Sequence, residues 1–463
     1  MTDRAIFWES AKRVVRELVQ PFIDLGKTSR ALFGVNLTSM LEGLTYFGVL
    51  TLLAIFLNEA IGLDDPTAGR TVGILTAGIT IAMMFLGATV DWIGIRKALL
   101  ISLALMAVGR AVITVAPKFG APGAWDSAHL IALGGIFFII LGYGIYQPAL
   151  YAGVKMFTNA KTAAMGYAML YALMNLGGFL PGLISPPLRK AAGIPGVFWF
   201  YVAVTVFEIV LIAIIMSRKA VETAIREAAA ESPEHTAEKP DEMAGKSVAQ
   251  RFIYYLKHFP FTDLRFMYFI FILIPVQTLF AHNWLTIPLY TKRAFDGVVA
   301  DNFEFFSNLN PILIFFLTPM VTAITARRNT YAMMIVGTFV MASPTFILAL
   351  GPRFETLMAY LIIMSIGEAM WQPRFLQWIA EIAPKNMTGI YMGIGQFPWF
   401  LTKVITAMYS GWFLERYCPD KTPHPLLNTE TMWFIYGLIA IISPIGLLIA
   451  RRWMLKGFKE SLG

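Results

Sequence analysis

The chain alternates long apolar runs with short polar breaks, and the runs share one scale of length. A helix rises 1.5 Å per residue, so roughly 20 mostly apolar residues cross a bilayer. Twelve runs reach that scale: 31–57, 70–90, 98–116, 129–153, 163–184, 195–217, 265–290, 306–326, 331–350, 355–380, 388–413 and 430–451. The pattern predicts an all-α integral membrane protein with twelve transmembrane helices.

The breaks divide the runs unevenly. KFGAPGAW, between the third and fourth, reads as a Gly/Pro turn. Phe295 to Asn308 carries Asp296, Asp301 and Glu304 and reads as a loop. Glu415 to Glu430 reads as a long, proline-containing connection. The deepest break is 220–250, polar, Glu-rich and punctuated by Ser232, Pro233 and Pro240. It leaves six runs on each side, which predicts two six-helix bundles. The predicted layout is a segment 1–30, a bundle 31–217, a linker 218–264, a bundle 265–452 and a tail 453–463. Ala and Glu at the start of the linker predict a short helix. The region of Phe252, Tyr254 and Tyr255 and the opening segment with Phe7 and Trp8 read as pieces lying along the membrane face.

Composition agrees with burial in lipid. Hydrophobic residues make up 57% of the 463-residue chain and charged residues only 14%, with mean hydropathy +0.64. The net charge of +8 then reads as loops facing anionic lipid, with no role in binding nucleic acid. With both termini placed in the cytoplasm, 25 Lys and Arg fall inside and 9 outside, so the bias predicts an even number of spans in the plasma membrane with that orientation. A single cysteine, Cys418, forms no internal disulfide. The chain carries no phosphate-binding loop, dinucleotide fingerprint or metal-ligand cluster, so no cofactor and no enzymatic activity are expected.

The charges inside the apolar runs are the candidate chemistry. Glu42, Glu368 and Lys403 lie within runs one, ten and eleven. An ionised group at mid-membrane costs several kcal/mol unless it meets a partner, water or protein, and such groups commonly line a pathway. Glu42 and Glu368 are expected as proton-coupling or solute-binding acids, and Lys403 as an anion or coupling site. Arg374 reads as a gate or packing contact, and Asp91 and Arg96 as gating structure. Arg110 is expected to offset Glu208 or a lipid phosphate. Gln277, His282 and Asn283 offer polar edges in run seven, His282 with a side chain that titrates near neutrality. Tyr46, Tyr143, Tyr146, Gln147, Tyr171 and Asn175 supply further edges, and Trp371 and Trp399 are expected as walls. Pro148, Pro181, Pro311, Pro319 and Pro373 predict local kinks.

Several motifs carry a resemblance. GATVDWIGIRK, from Gly87 to Lys97, resembles the loop 2–3 signature of the major facilitator superfamily, with Asp91 and Arg96 in place. LYALMNLGGFLPGLISP matches through Tyr171, Asn175 and Gly177, and SNLNPILIFFLTPM through Asn310, Pro311 and Pro319. SIGEAMWQPRFLQWIAEIAPKNMTGIYMG matches through Gly367, Glu368, Pro373, Ala383, Pro384, Gly389 and Met392. With EGLTYFG in run one and GYGIYQP in run four, these resemble the proton-dependent oligopeptide transporter family. The resemblance implies the major facilitator fold, alternating access and proton symport of small peptides or amino-acid derivatives, with Glu368 anchoring a substrate amine. The chain departs from that family at Ser39 and Gly43, where it carries glutamate and arginine, and at Gln147, where it usually carries lysine. Glu42 is therefore expected to lack its usual cationic partners. The expected partners are a small polar solute, protons and lipid, and the expected state is a monomer. The alternatives are a proton-independent facilitator or exporter, and a receptor or scaffold that moves nothing.

Overall fold

The computed structural model describes residues 28–87, 89–158, 163–230, 263–325, 328–382, 394–395 and 397–455. The opening segment, the linker beyond Ala230 with Phe252, Tyr254 and Tyr255, the Asp91 side chain, and Ala383, Pro384, Gly389 and Met392 lie outside the described residues. All regular structure among those described is helical.

The first four helices are α1 (Arg30–Glu59), α2 (Asp65–Leu86), α3 (Ile95–Phe119) and α4 (Ser127–Phe157). Ser29 and Asp64 cap the first two by accepting from Leu32 N (3.3 Å) and Thr67 N (2.8 Å). α5 runs from Ala163 to Ile215 and is broken at Gly193, where φ is 67°. Glycine reaches that φ without steric cost, and Pro195 suits the first turn of the helix that resumes. α6 (Arg218–Ala230) is the short helix expected at the start of the linker.

The run 265–290, expected as one span, is three pieces: α7 (Leu264–Ile272), α8 (Ile274–Leu285) and α9 (Ile287–Ala294). Pro275 and Pro288 follow the two breaks, each lacking the N–H that a continuous ladder needs. Val276 N, just past the first break, donates to Ser443 Oγ at 2.9 Å, so the freed backbone donor is satisfied away from water. The stretch after Phe295, expected as a loop, folds into two five-residue turns of helix, Gly297–Asp301 and α10 (Phe303–Ser307). The longer helices that follow are α11 (Leu309–Thr325), α12 (Thr330–Ala342), α13 (Phe354–Ile382), α14 (Phe397–Tyr417), α15 (Thr429–Ala440) and α16 (Ile442–Met454). Pro148, Pro181, Pro319 and Pro373 lie inside α4, α5, α11 and α13.

Among the described residues, ten helical stretches are long and apolar enough to cross a membrane, which makes this an all-α multi-span membrane fold. α1 is apolar on every side and is buried accordingly. It meets α5 so closely that a Cβ on Gly43 would lie 2.6 Å from Met174 O, and one on Gly177 2.0 Å from Met40 O. The backbones touch there only because neither position has a side chain.

Polar clamps join helices of residues 30–230 to helices of residues 263–455 at one end of the molecule. Arg293 donates to both oxygens of Asp65 (2.5 and 2.8 Å) and to Cys418 O (3.1 Å). Arg189 pairs with Glu304 and donates to Asp301 O at 2.8 Å, and Lys292 pairs with Glu59. Arg293 and Asp65 are only 7% and 8% exposed, so salt screens this pair far less than a surface one.

Candidate functional site

Glu42 sits mid-way along α1, 2% exposed, and its carboxylate is fully engaged. Arg110 of α3 grips it with both terminal nitrogens: Nη2 pairs with Oε1, and Nη1 donates to Oε2 at 3.1 Å. Tyr143 OH also donates to Oε1, and Thr45 Oγ1 donates to Oε2 at 2.8 Å. Arg110 Nη1 further donates to Thr205 Oγ1 on α5. The usual cationic partners are absent at Gly43 and Gln147, and a different cation, Arg110, takes their place. The reason is steric: Gly43 touches α5 backbone and has no room for an arginine, and α3 supplies the guanidinium instead. Arg110 also acts on Glu208 through its charge, with no direct bond between them. Glu208 accepts from Thr38 Oγ1, which lies 3.1 Å from Tyr146 OH.

Glu42 borders a small cavity with Tyr46, Tyr143, Tyr146, Gln147 and Met174. Five of the sequence-chosen residues thus come together. A second small cavity is lined from both parts of the chain: Phe47, Thr51 and Asn175 on one side, and Phe280, Asn283, Trp284 and Asn310 among those on the other. Asn310 Nδ2 donates to Glu368 Oε2 and to Ser365 Oγ, both at 2.9 Å. Glu368 is buried one hydrogen bond behind the cavity wall. It is held there because α13 crosses α12 at Gly367, where a Cβ would lie 2.2 Å from Met341 N. An aromatic row lies between the cavities: Tyr143, Tyr46, Phe47, Trp284, Phe280 and Trp399, with successive ring centroids 4.9, 5.3, 6.3, 4.8 and 5.1 Å apart.

Other expected residues fall elsewhere. His282 is enclosed by Tyr409, Trp433 and Tyr436, with Nδ1 on Thr286 Oγ1 (2.7 Å) and Nε2 on Tyr409 OH (3.1 Å). Both ring nitrogens are used, which fits a packing role. Trp371 is buried against Met341 and Phe375 and lines neither cavity. Gln277 accepts from Thr402 Oγ1 at 3.2 Å. Tyr171 is exposed, and its carbonyl accepts from Asn175 Nδ2 at 2.9 Å. Lys403 is half-buried and forms no salt bridge with Glu368 or another carboxylate among the described residues. Arg96 donates to Ala213 O at 3.4 Å, and Arg374 to Thr325 O at 2.8 Å, where it meets the carbonyl end of α11.

Sequence reasoning missed Arg110 and Glu208 as parts of the Glu42 site. Their signal was present, since each is a charge inside an apolar run. It also missed Asn308, whose side chain bonds Thr51 Oγ1 at 3.0 Å across the two parts of the chain. Among the described residues, no group of three or more histidine, cysteine, aspartate or glutamate side chains is placed to hold a metal ion.

Comparison with known proteins places this geometry. No curated protein compared matches the chain. Solved structures share the fold. A POT family transporter in complex with 5-aminolevulinic acid superposes with TM-score 0.68 at 17% identity, covering 92% of this chain and 97% of that one. A bacterial homologue of the human drug peptide transporters PepT1 and PepT2 gives 0.67 at 17%, covering 92% and 99%. Tetrameric PepTSo2 gives 0.63 at 17%, covering 92% and 97%. The family model of the Major Facilitator Superfamily matches residues 35–407, most of the chain. The protein belongs to the major facilitator superfamily.

Proposed function

We propose that the protein is a secondary active transporter that carries small polar solutes by alternating access, driven by protons. The observation that carries this reading is the cavity shared by Phe47, Thr51 and Asn175 with Phe280, Asn283 and Asn310, backed by the Glu368 carboxylate. A solute there touches both parts of the chain at once, so movement of one part against the other transfers it between faces. Small peptides and amino-acid derivatives fit a site with amide edges, aromatic walls and an acid for an amine. The solved transporters of like fold include one bound to 5-aminolevulinic acid, which is consistent with that class.

The arrangement that goes with this function has twelve spans in two bundles of six. Ten stretches qualify by length and apolarity; the break at Gly193 divides one of them, and α14 is long enough to supply another. The bundles are 31–217 and 265–452, with a linker at 218–264. Charge bias puts both termini in the cytoplasm of a plasma-membrane protein. The clamps of Arg293 on Asp65 and Arg189 on Glu304 then lie on the outer side and hold that side shut. Arg96 and Arg374 donate to Ala213 O and Thr325 O and act as inner packing contacts, with Asp91 close before Arg96 in sequence. Each chain has its own cavities, so a monomer is the working unit.

The test is uptake into proteoliposomes from a mixture of peptides and polar metabolites, with and without an inward proton gradient. Accumulation that requires the gradient supports the proposal. Equal uptake without it makes the protein a facilitator, and no uptake of any solute makes it a receptor or scaffold.

A further inference from the structure

Two buried carboxylates lie close to one guanidinium in the first part of the chain. Glu42 comes from α1, Glu208 from the later half of α5, and Arg110 from α3. If both acids are ionised, the group carries a net negative charge in a buried site. One proton makes it neutral. Burial favours the neutral state, because an uncompensated charge in a low-dielectric interior costs several kcal/mol.

The hydrogen bonds say which acid has the proton. Glu42 receives two donors from Arg110, one from Tyr143 and one from Thr45. That is the environment of a carboxylate. Glu208 is 0% exposed and accepts from Thr38, with the Tyr146 hydroxyl also beside it. Among the described residues, its Oε2 meets no donor in hydrogen-bond geometry, and Arg110 Nε meets no acceptor. An ionised carboxylate left with a bare oxygen in an apolar core is a costly arrangement; a carboxylic acid is not. The other titratable groups facing the two acids are Tyr46 from α1, Tyr143 and Tyr146 from α4 and Tyr201 from α5, all phenols neutral near pH 7.

We propose that Glu42, Arg110 and Glu208 form a single proton-binding site in which one guanidinium serves two carboxylates. The proton resides on Glu208 while Arg110 is clamped to Glu42. When Glu42, which borders the cavity, takes a proton from cavity water, its hold on Arg110 is lost. Arg110 turns its donors to Glu208; the Thr38 hydroxyl rotates from Glu208 toward Tyr146 and accepts the Glu208 proton as it gives its own to Tyr146, and Tyr146 gives its phenolic proton to water in the cavity it lines. One proton enters and one leaves, and the positive charge changes helix partner from α1 to α5. This deepens the reading of Glu42 as a proton-coupling acid and rests on it.

The test reads protonation rather than transport, so its failure is distinct from a failure to move solute. The probe is the carbonyl stretch of a protonated carboxyl group, recorded by infrared spectroscopy on the full chain in lipid at neutral pH. All variants carry Glu368→Gln to remove the other membrane acid. The parent is expected to show the band. Glu208→Gln is expected to abolish it. Glu42→Gln is also expected to abolish it, because the released Arg110 ionises Glu208. A band that survives in either variant, or is missing from the parent, overturns the proposal. Thr38→Val supplies a check that spares both acids. It removes the donor to Glu208 and is expected to move the band to higher frequency, and an unmoved band also overturns the proposal.

Discussion

Arg110 of α3 holds Glu42 of α1 through both of its terminal nitrogens, 68 residues away in sequence and almost wholly out of contact with solvent. Breaking a buried pair by removing one partner leaves a stranded charge, at a cost of about 3–5 kcal/mol. Arg110→Met is expected to lose about that much stability, and the double variant Arg110→Met/Glu42→Gln less than the single. Thermal unfolding in detergent across the four-variant cycle measures it. Additive losses would remove the pair from the account.

Gly43 explains why the cation comes from another helix. Gly43→Ala forces a methyl against Met174 O and is expected to cost about 1–3 kcal/mol. Gly43→Arg, which restores the arginine of the peptide-transporter motif, is expected to block folding. Membrane yield and melting temperature read both. A Gly43→Arg protein with normal yield and stability would show that the α1–α5 contact is not tight.

With the orientation proposed above, the clamp of Arg293 on Asp65 predicts how the outer side opens. Asp65→Asn strands a buried guanidinium and weakens the closed arrangement. A cysteine placed at Asn283 in a Cys418→Ser background then reports access to the cavity. Its labelling by a thiol reagent that cannot cross the membrane is expected to speed up by about tenfold, since 1.4 kcal/mol already shifts a population tenfold. An unchanged rate would mean that this pair does not hold the outer side.

Glu368, the acid of the proposed solute site, accepts from Asn310 at the cavity wall. Glu368→Gln is expected to cut uptake by about tenfold or more while leaving stability within about 1 kcal/mol, because a charge-assisted bond to solute is lost but the bond to Asn310 is kept. Initial uptake rate and melting temperature, measured on the same preparation, separate the two effects. Activity equal to that of the parent would exclude the acid from the solute site.

The fold was legible where it depends on run length. The runs at 31–57, 98–116 and 129–153 lie within α1, α3 and α4, and 70–90 covers most of α2 and runs past its end at Leu86. The breaks at Leu273 and Thr286 were not read, because averaging hydropathy over a whole span hides Pro275 and Pro288. Glu42 and Glu368 stood out as charges in apolar sequence. Their partners did not, because pairing depends on which helices cross. Arg110 reaches Glu42 only because Gly43 brings α1 against α5, while Thr205 and Tyr143 line the same gap. His282 was over-read for the same reason: Tyr409 and Tyr436, which enclose it, lie more than a hundred residues away. Asn308 gave no signal, since an amide at a helix junction is common and its bond to Thr51 is purely tertiary.

Proton movement accompanying solute movement is the most direct measure of the whole account. Vesicles loaded with a pH-sensitive dye, and given an accumulated solute without an imposed gradient, are expected to acidify inside in step with solute entry. Glu42→Gln vesicles are expected to show no such acidification. Solute entry at the parent rate with no accompanying proton would contradict the account.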